Sequence, residues 1–298
     1  MKKIEIKRIL VPVDFTETSD EVTIEAIKLA KLLKADVFLL HIIGRNWAHL
    51  FKINEIQTIL PSAQEVEKVL EKRLIKMQEE IKQKFGIKPE VNIKTGHIHS
   101  ETIDFSKEQK IDLIVMGAHG ASGLKDFFIG TNTQRVVTLS EIPVLTMQKN
   151  SNKAGFKNIL LPIDNSLHSR EKINLAMIIA NLFGAKIHII GLPESDKEDE
   201  LNKFHVKVES VEKIVKADNM QYKTTIVHGD NLATSAINYA TKNKCDLIVI
   251  NTGHESKITG ILLGAFAQQI VNHSKIPVLS LRHAHGNFSI DTPGYGIS

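Results

Sequence analysis

Apolar runs alternate with amphipathic segments from the start of the chain. "RILVPV" is apolar almost throughout and ends at Asp14, and "SDEVTIEAIKLAKLLK" then repeats apolar residues at helical spacing, with Ser19 in the position of an N-cap. "DVFLLHII" is again strand-like, and a long charged helix is predicted over Ala63–Phe85, between Pro61 and Gly86. Strands that are apolar throughout and alternate with helices predict a parallel sheet covered on both faces.

The same alternation completes a unit of five strands and four helices. "EVNIKT", "IDLIVM" and "IPVLTM" are the last three predicted strands, with a short helix from Ser100 and another from Thr131. This order predicts a doubly wound α/β domain, in which ligands bind at the carboxyl ends of strands, near the point where strand order reverses. The features that end strands at that edge are Asp14, His41–Ile42 and the loop beginning at Gly117.

The second half of the chain repeats the first. "IKRILVPVD" from Ile6 matches "FKNILLPID" from Phe156 at an offset of 150, and "KIDLIVMG" matches "KCDLIVIN" at an offset of 134. Two copies therefore fill the 298 residues, and the first copy has 16 more residues between these two matches. The polar segment "QKNSNKAG", residues 148–155, is predicted to link them. The expected domains are 1–149 and 156–285, followed by a tail at 286–298.

A glycine-rich loop, "GAHGASGLKDFFIGT", follows the fourth predicted strand. It fits neither the P-loop, because Leu124 separates Gly123 from Lys125, nor the dinucleotide fingerprint G-x-G-x-x-G. Glycines here can take dihedrals barred to other residues and let backbone N–H groups approach a phosphate. The start of the following helix suits an anion. A tight turn with a helix cap and no ligand is the alternative. The spacing that fits is G-x2-G-x9-G-[S/T], formed by Gly117, Gly120, Gly130 and Thr131.

This spacing resembles the nucleotide-binding signature of the universal stress protein family. "VPVDFTETS", "LLHI" and "DLIVMGAHG" resemble the same family, and the resemblance covers nearly all of both copies. It implies two tandem doubly wound, flavodoxin-like (Rossmann-like) domains with five-stranded parallel sheets, the first of which binds ATP. Single-domain members typically dimerise through the last strand. The resemblance therefore implies a pseudo-dimer within the chain, with "IPVLTM" beside "IPVLSL". A homodimer of whole chains and an unknown protein partner stay open.

The resemblance also implies roles in ATP binding. Asp14 and the backbone at Ile42 would meet the adenine edge, while glycines and the helix start would hold the phosphates. Asp14 alternatively caps the turn before the first helix, and His119 is equally consistent with an exposed turn position. Magnesium bridging the phosphates is an expectation from chemistry rather than from a motif. The residues implied are Pro12, Val13, Asp14, Ile42, Met116, Gly117, His119, Gly120, Gly130, Thr131 and Asn132.

The second copy departs from this pattern at the decisive positions. Asn251, His254 and Ala265 stand where the first copy has Gly117, Gly120 and Thr131, and only Gly264 remains. We therefore expect the second copy to keep the fold, to lose the triphosphate site and to serve as a structural partner. A different, unidentified ligand is the alternative.

Composition narrows the function classes. The net charge of +4 is spread along the chain and does not form a basic block, so no nucleic-acid partner is expected. No apolar run approaches the ~18 residues of a membrane span, so no membrane partner is expected either. One cysteine, Cys245, and an N-terminus without a signal-peptide pattern favour a cytoplasmic location. Two histidine pairs, His97 with His99 and His283 with His285, fit scattered loop residues better than a zinc site.

No conventional catalytic constellation is evident in the sequence. The expected function is nucleotide-dependent stress sensing or signalling, with at most slow ATP hydrolysis or autophosphorylation. The alternatives are a slow ATPase or autokinase, and a nucleotide-independent interaction scaffold.

The extra residues of the first copy fall around "GRNWAHLFKINEIQTIL", which includes Trp47. This stretch begins just past Ile42, so one hypothesis is that it covers the nucleotide or packs against a partner chain. An ordinary surface excursion packed on its own domain is the alternative.

Overall fold

The computed structural model describes residues 5–44, 63–118, 129–149, 151, 155–164, 171–256 and 260–282. The first half contains β1 (Arg8–Pro12), α1 (Glu17–Leu33), β2 (Asp36–Gly44), α2 (Ala63–Phe85), β3 (Glu90–Gly96), α3 (Ile98–Glu108), β4 (Leu113–Gly117), α4 (Thr131–Leu139) and β5 (Val144–Met147). The second half contains β6 (Asn158–Ile163), α5 (Glu171–Phe183), β7 (Lys186–Gly191), α6 (Glu198–Ala217), β8 (Tyr222–Ile226), α7 (Leu232–Lys242), β9 (Leu247–Asn251), β10 (Gly253–Ser256), β11 (Gly260–Leu263), α8 (Ala265–His273) and β12 (Val278–Leu281).

Ten of these strands form one sheet in the order β3-β2-β1-β4-β5-β12-β9-β6-β7-β8. Within each half the strands pair in parallel, which confirms the predicted doubly wound fold class. The halves meet where β5 pairs with β12 in the antiparallel sense, with Leu145 opposite Leu279. The two expected parallel sheets are therefore joined edge to edge into a single mixed sheet.

Contacts beyond the strand pair repeat across the junction with approximate two-fold symmetry. Gln148, just after β5, donates from Nε2 to the carbonyl of Ser274 at 2.7 Å, next to the end of α8. Arg282, just after β12, donates from Nη1 to the carbonyl of Leu139 at 2.9 Å, at the end of α4. Each half thus donates a side-chain hydrogen bond to a carbonyl at the end of the other half's last helix. Carbonyl groups at a helix end lack partners within the helix.

Two helix starts differ from the sequence-based prediction. Thr16, and not Ser19, is the N-cap of α1, and the Thr16 side chain accepts from the Ser19 backbone N–H. Thr16, Thr18 and Ser19 all carry hydroxyl groups, and the first of them along the chain is the N-cap. The helix predicted from Ser100 begins two residues earlier, at Ile98. The predicted bounds of α2 are confirmed, and Gly86 follows it with a φ of 75°.

An antiparallel hairpin in the second half was not predicted. It consists of β10 and β11, pairs Gly253 with Leu263, and lies between β9 and α8. At the corresponding place the first half has its glycine-rich loop. The strand β11 also lies against α4 of the first half, so the hairpin contributes to the contact between the two halves.

Buried apolar residues form one layer on each face of the sheet, and both layers include residues of both halves. In one of these layers, an aromatic pair of the first half corresponds to a different pair of residues in the second half. Phe38 and Phe105 lie edge to face in the first half, with ring centroids 6.3 Å apart, and His188 and Tyr239 replace them in the second half at 6.0 Å. His188 Nε2 and Nδ1 lie 3.2 Å from Asn158 Oδ1 and 3.3 Å from the Tyr239 hydroxyl. The second half therefore contains a buried polar network where the first has an aromatic contact.

We expect this network to make folding stability depend on pH. Burial lowers the pKa of His188, and the nearby Lys186 and Lys223 lower that pKa further. The unfolded chain then takes up a proton more readily than the folded one as pH falls below about 6.5, so stability should decrease there. Between pH 6.5 and 5 the loss from His188 is bounded by about 2 kcal/mol, the limit if the folded form stays neutral.

Urea denaturation across this pH range measures the effect. The control is the double variant His188→Phe, Tyr239→Phe, which installs the pair that the first half has at positions 38 and 105. Its stability should vary less with pH than that of the wild type. Because all other histidines are common to both proteins, identical pH profiles would contradict the assignment to His188.

Candidate functional site

A cleft of about 320 Å³ opens at the carboxyl ends of β1, β2 and β4, beside the start of α4. β1 lies between β2 and β4 in the sheet, so this is where the strand order reverses. The nine predicted site residues that line it are Pro12, Val13, Asp14, Ile42, Met116, Gly117, Gly130, Thr131 and Asn132. The other two predicted residues, His119 and Gly120, lie outside the described residues, as does the segment around Trp47. Sequence reasoning did not assign the other lining residues, Ser19, Leu40, His41, Ile98 and Thr133, to the site.

The turn after β1 holds the Asp14 carboxylate by one of its two oxygens. Asp14 Oδ1 accepts from the backbone N–H of Thr16 at 3.0 Å and from its hydroxyl at 2.6 Å. The backbone N–H of Asp14 donates to Ser19 Oγ at 3.2 Å. The turn-capping role of Asp14 is therefore present, and no described residue donates to Oδ2. This second oxygen remains available as an acceptor at the cleft.

Ile42 presents backbone groups to the same cleft. Val13 donates its N–H to the carbonyl of Leu40 at 2.8 Å, so the carbonyl of Leu40 faces β1. Backbone groups two residues apart on a strand face the same neighbour. The N–H and C=O of Ile42 therefore point to the β1 side, beyond the residue at which β1 ends.

The start of α4 is built as an anion-compatible helix end. Gly130 is the N-cap, with φ −58° and ψ 140°, and no side chain caps it. Its own N–H donates to the carbonyl of Ala118 at 2.7 Å, and the Thr133 hydroxyl donates to the carbonyl of Gly117 at 2.9 Å. The first amide groups of α4 are left without helical acceptors and carry the positive end of the helix dipole.

Gly117 does not have the special backbone conformation expected of it, while Gly130 opens the next helix as expected. Gly130 has a negative φ, and Gly117 is the last residue of β4 and is not among the described glycines with positive φ. Both glycines line the cleft without a left-handed backbone.

Three residues that sequence reasoning did not place at the site surround its first turn. Phe15 stacks between His41 and Arg73, and His41 Nδ1 donates to the carbonyl of Val13 at 2.8 Å. Burial lowers the pKa of His41, while its hydrogen bond to Val13 raises it. The sequence signals were His41 at the end of a predicted strand and an aromatic residue directly after Asp14.

The paired histidines of the first half were expected in a loop, but they lie at the start of a helix. His97 and His99 lie at the start of α3 with ring centroids 6.1 Å apart, and burial and the charges of Arg135 and His97 lower the pKa of His99. Over the described parts of the chain no group of three or more His, Cys, Asp or Glu residues is placed to hold a metal ion. His283 and His285 lie outside the described residues.

The equivalent edge of the second half is built differently. Asn251 ends β9 and Ala265 begins α8, and the β10–β11 hairpin occupies the chain between them. Gly264 N–H donates to the carbonyl of Thr252 at 3.3 Å, which closes this loop at the position where Gly130 and Ala118 close theirs. The strand and helix bounds of the two halves therefore correspond as the sequence predicted. The β10–β11 hairpin stands in the second half where the first half has its glycine-rich loop.

Comparisons with known proteins identify the family. A sequence model described as "Universal stress protein family" matches residues 5–148 and again 155–282. The chain belongs to the universal stress protein family. The structure likewise resembles a universal stress protein from Archaeoglobus fulgidus, with a TM-score of 0.73 and 21% identity, over 95% of this chain and 99% of that one. At this identity the likeness shows the shared tandem fold.

Curated relatives of this universal stress protein match about half of the chain. Universal stress protein MJ0577 of Methanocaldococcus jannaschii is 32% identical over 158 residues, which is 48% of this chain and 95% of the relative. Universal stress protein YxiE of Bacillus subtilis is 29% identical over 146 residues, 47% of this chain and 98% of the relative. In the described part of the chain no helix is long and apolar enough to cross a membrane.

Proposed function

We propose that this universal stress protein binds one ATP per chain in the cleft of its first half and acts as a nucleotide-dependent stress sensor or signalling module. The observation that carries the proposal is the meeting of the nine predicted residues at one cleft, where the strand order reverses. The second half serves as the structural partner through the β5–β12 junction.

The adenine end of the ligand fits the turn after β1. The free Oδ2 of Asp14 is an acceptor for the amino group of adenine, and the backbone of Ile42 meets the neighbouring ring edge. Leu40 and Met116 supply apolar surface beneath the base, and both are buried. A few polar groups on an apolar floor are typical of small-ligand sites.

The phosphate end fits the start of α4. Pro12 and Gly117 flank the ribose, and the uncapped amides at Thr131 and Asn132 face the phosphates. The helix dipole and the free N–H groups act together on a negative ligand. A magnesium ion bound with the phosphates would find the hydroxyl of Thr131 and the amide oxygen of Asn132, and it would neutralise phosphate charge. Gly120 and His119 belong to the proposed site through the family resemblance.

Turnover in this site is expected to be slow. Asp14 is the one carboxylate among the described lining residues, and we assign it to the adenine edge, away from the phosphates. Without a placed general base, ATP hydrolysis should fall well below the ~1 s⁻¹ of the slower dedicated enzymes.

Calorimetric titration tests the proposal and should give about one ATP per chain. The informative variant is Asp14→Asn, which keeps Oδ1 for Thr16 and replaces Oδ2 by a donor that opposes the amino group of adenine. A hydrogen bond to a charged group contributes about 1.5–3 kcal/mol, so affinity should fall roughly 10- to 100-fold. The matched control, Asp164→Asn at the equivalent position of the second half, should bind as the wild type does. Two equivalent sites, or full affinity in Asp14→Asn, would contradict the proposal.

A further inference from the structure

Phe15 lies in the middle of a three-residue stack next to the cleft. The guanidinium carbon of Arg73, on α2, is 4.4 Å from the centre of the Phe15 ring. The ring of His41, on β2, lies at 4.7 Å, tilted by 33°. Arg73 Nη2 also donates to the carbonyl of Phe15 at 3.4 Å, and His41 Nδ1 donates to that of Val13. The stack therefore ties α2 and β2 to the turn that carries Asp14.

This stack holds an unfavourable backbone conformation. Phe15 has a φ of 61°, in the left-handed region that bulky side chains avoid. The other non-glycine residues with positive φ in the described chain, Lys34, Lys110, Asn219 and Lys244, each lie at or just past a helix end. The left-handed conformation is common at helix ends, but Phe15 precedes a helix. Such strain persists where surrounding contacts impose it, and it clusters at functional sites.

The second half folds without the stack. Gly191 stands where the first half has His41, and the space of a side chain there is taken by Ile226 and Phe204, 2.5 and 2.9 Å from an added Cβ. Lys207 stands where the first half has Arg73, and its Nζ donates to the carbonyl of Asp164 at 2.5 Å. The cation on the helix is thus kept, while the ring pair is absent. The stack is therefore not required by the fold, and in the first half it lies next to the cleft.

We propose that Arg73, Phe15 and His41 position the Asp14 carboxylate for recognition of the adenine amino group, an inference that rests on the proposed ATP site. The peptide between Phe15 and Thr16 is oriented by the backbone of Phe15. If Phe15 leaves the left-handed region, the N–H of Thr16 turns away from Asp14 Oδ1, to which it now donates at 3.0 Å. The carboxylate is then free to rotate, and Oδ2 loses its fixed direction.

His41 contributes to the stack as a neutral ring. A carbonyl only accepts hydrogen bonds, so Nδ1 carries the proton in its contact with Val13. Burial lowers the pKa of His41, and the nearby charge of Arg73 lowers it as well, so both favour the uncharged ring. The Arg73 guanidinium lies over the Phe15 ring, and this contact is favourable because a cation is attracted to the face of an aromatic ring.

The test uses Arg73→Ala and two ligands, ATP and purine riboside triphosphate, which lacks only the amino group. The ratio of their affinities reports the contacts of the amino group, which the proposed site assigns to Asp14. In Arg73→Ala we expect ATP affinity to fall about five- to tenfold, with the affinity ratio falling by a similar factor. Purine riboside triphosphate should bind with nearly unchanged affinity. Arg73→Lys keeps the charge but not the planar stack, and its affinity ratio should also fall.

Lys207→Ala is the matched control in the second half and should leave both affinities unchanged. Thermal melts of all variants show that they are folded. Equal losses for the two ligands, or an unchanged ratio in Arg73→Ala while the wild type prefers ATP, would overturn the positioning role and leave the ATP site standing. Absence of ATP binding by the wild type would instead overturn the proposed function, and this inference with it.

Discussion

Replacing Gly117 with asparagine and Thr131 with alanine in one chain should abolish ATP binding while the protein stays folded. Gly117 ends β4 and Thr131 begins α4, so both line the part of the cleft assigned to the ribose and phosphates. An asparagine side chain fills space that the ligand needs, and alanine removes a hydroxyl next to the helix start. We expect at least a ~100-fold loss of affinity, on the scale of several lost charge-assisted contacts.

The chain itself indicates that this variant folds. The second half carries Asn251 and Ala265 at the equivalent places, at the end of β9 and the start of α8. Its strand and helix have the same lengths as β4 and α4. Isothermal titration measures the loss, and a thermal melt checks the fold. Retained ATP affinity in a folded double variant would remove the phosphate end of the site from this cleft.

The reciprocal variant, Asn251→Gly with Ala265→Thr, is the control. It restores two motif residues in the second half but leaves the β10–β11 hairpin in place. Because the glycine-rich loop is still missing, we expect the titration to remain at about one ATP per chain.

The architecture was predictable because it follows from local patterns repeated twice. Buried parallel strands are apolar throughout, so each stands out between amphipathic helices. The offset of 134 also places element bounds: β4 ends at Gly117 and β9 at Asn251, while α4 begins at Thr131 and α8 at Ala265. The carboxyl ends of parallel strands share one edge of a sheet, so residues at the ends of β1, β2 and β4 were expected to lie close together.

The features that were missed depend on contacts between distant segments. The β10–β11 hairpin lies against α4 of the other half, and nothing in "GHESKITGILL" alone favours a hairpin over a loop. The left-handed backbone of Phe15 contradicts the preference of its residue type. Arg73 contacts Phe15, next to the site, from a helix whose sequence is that of an ordinary charged surface. The roles of His119 and Gly120 and the lid around Trp47 stay predictions, because these residues lie outside the described ones.

Truncating the leucines at the junction of the halves should destabilise both halves together. Leu145 on β5 and Leu279 on β12 lie directly opposite each other in the antiparallel pair, and both are almost fully buried. Replacing a buried leucine with alanine costs about 2–5 kcal/mol, because the lost contacts leave a cavity. Each single variant, Leu145→Ala and Leu279→Ala, should show a loss in that range in urea denaturation.

The two losses should not add, because the leucines face each other across the strand pair and belong to one layer of buried residues drawn from both halves. Residues in contact typically show interaction energies of about 0.5–3 kcal/mol in a double-mutant cycle. Hydrogen exchange should quicken in β9 and β6 when only Leu145 is changed, since the sheet continues from β5 through β12 into those strands. Val69→Ala, at an exposed position on α2, is the control and should change stability by no more than about 0.5 kcal/mol. Additive losses, with faster exchange confined to the first half, would mean that the halves are stable independently and that the junction only tethers them.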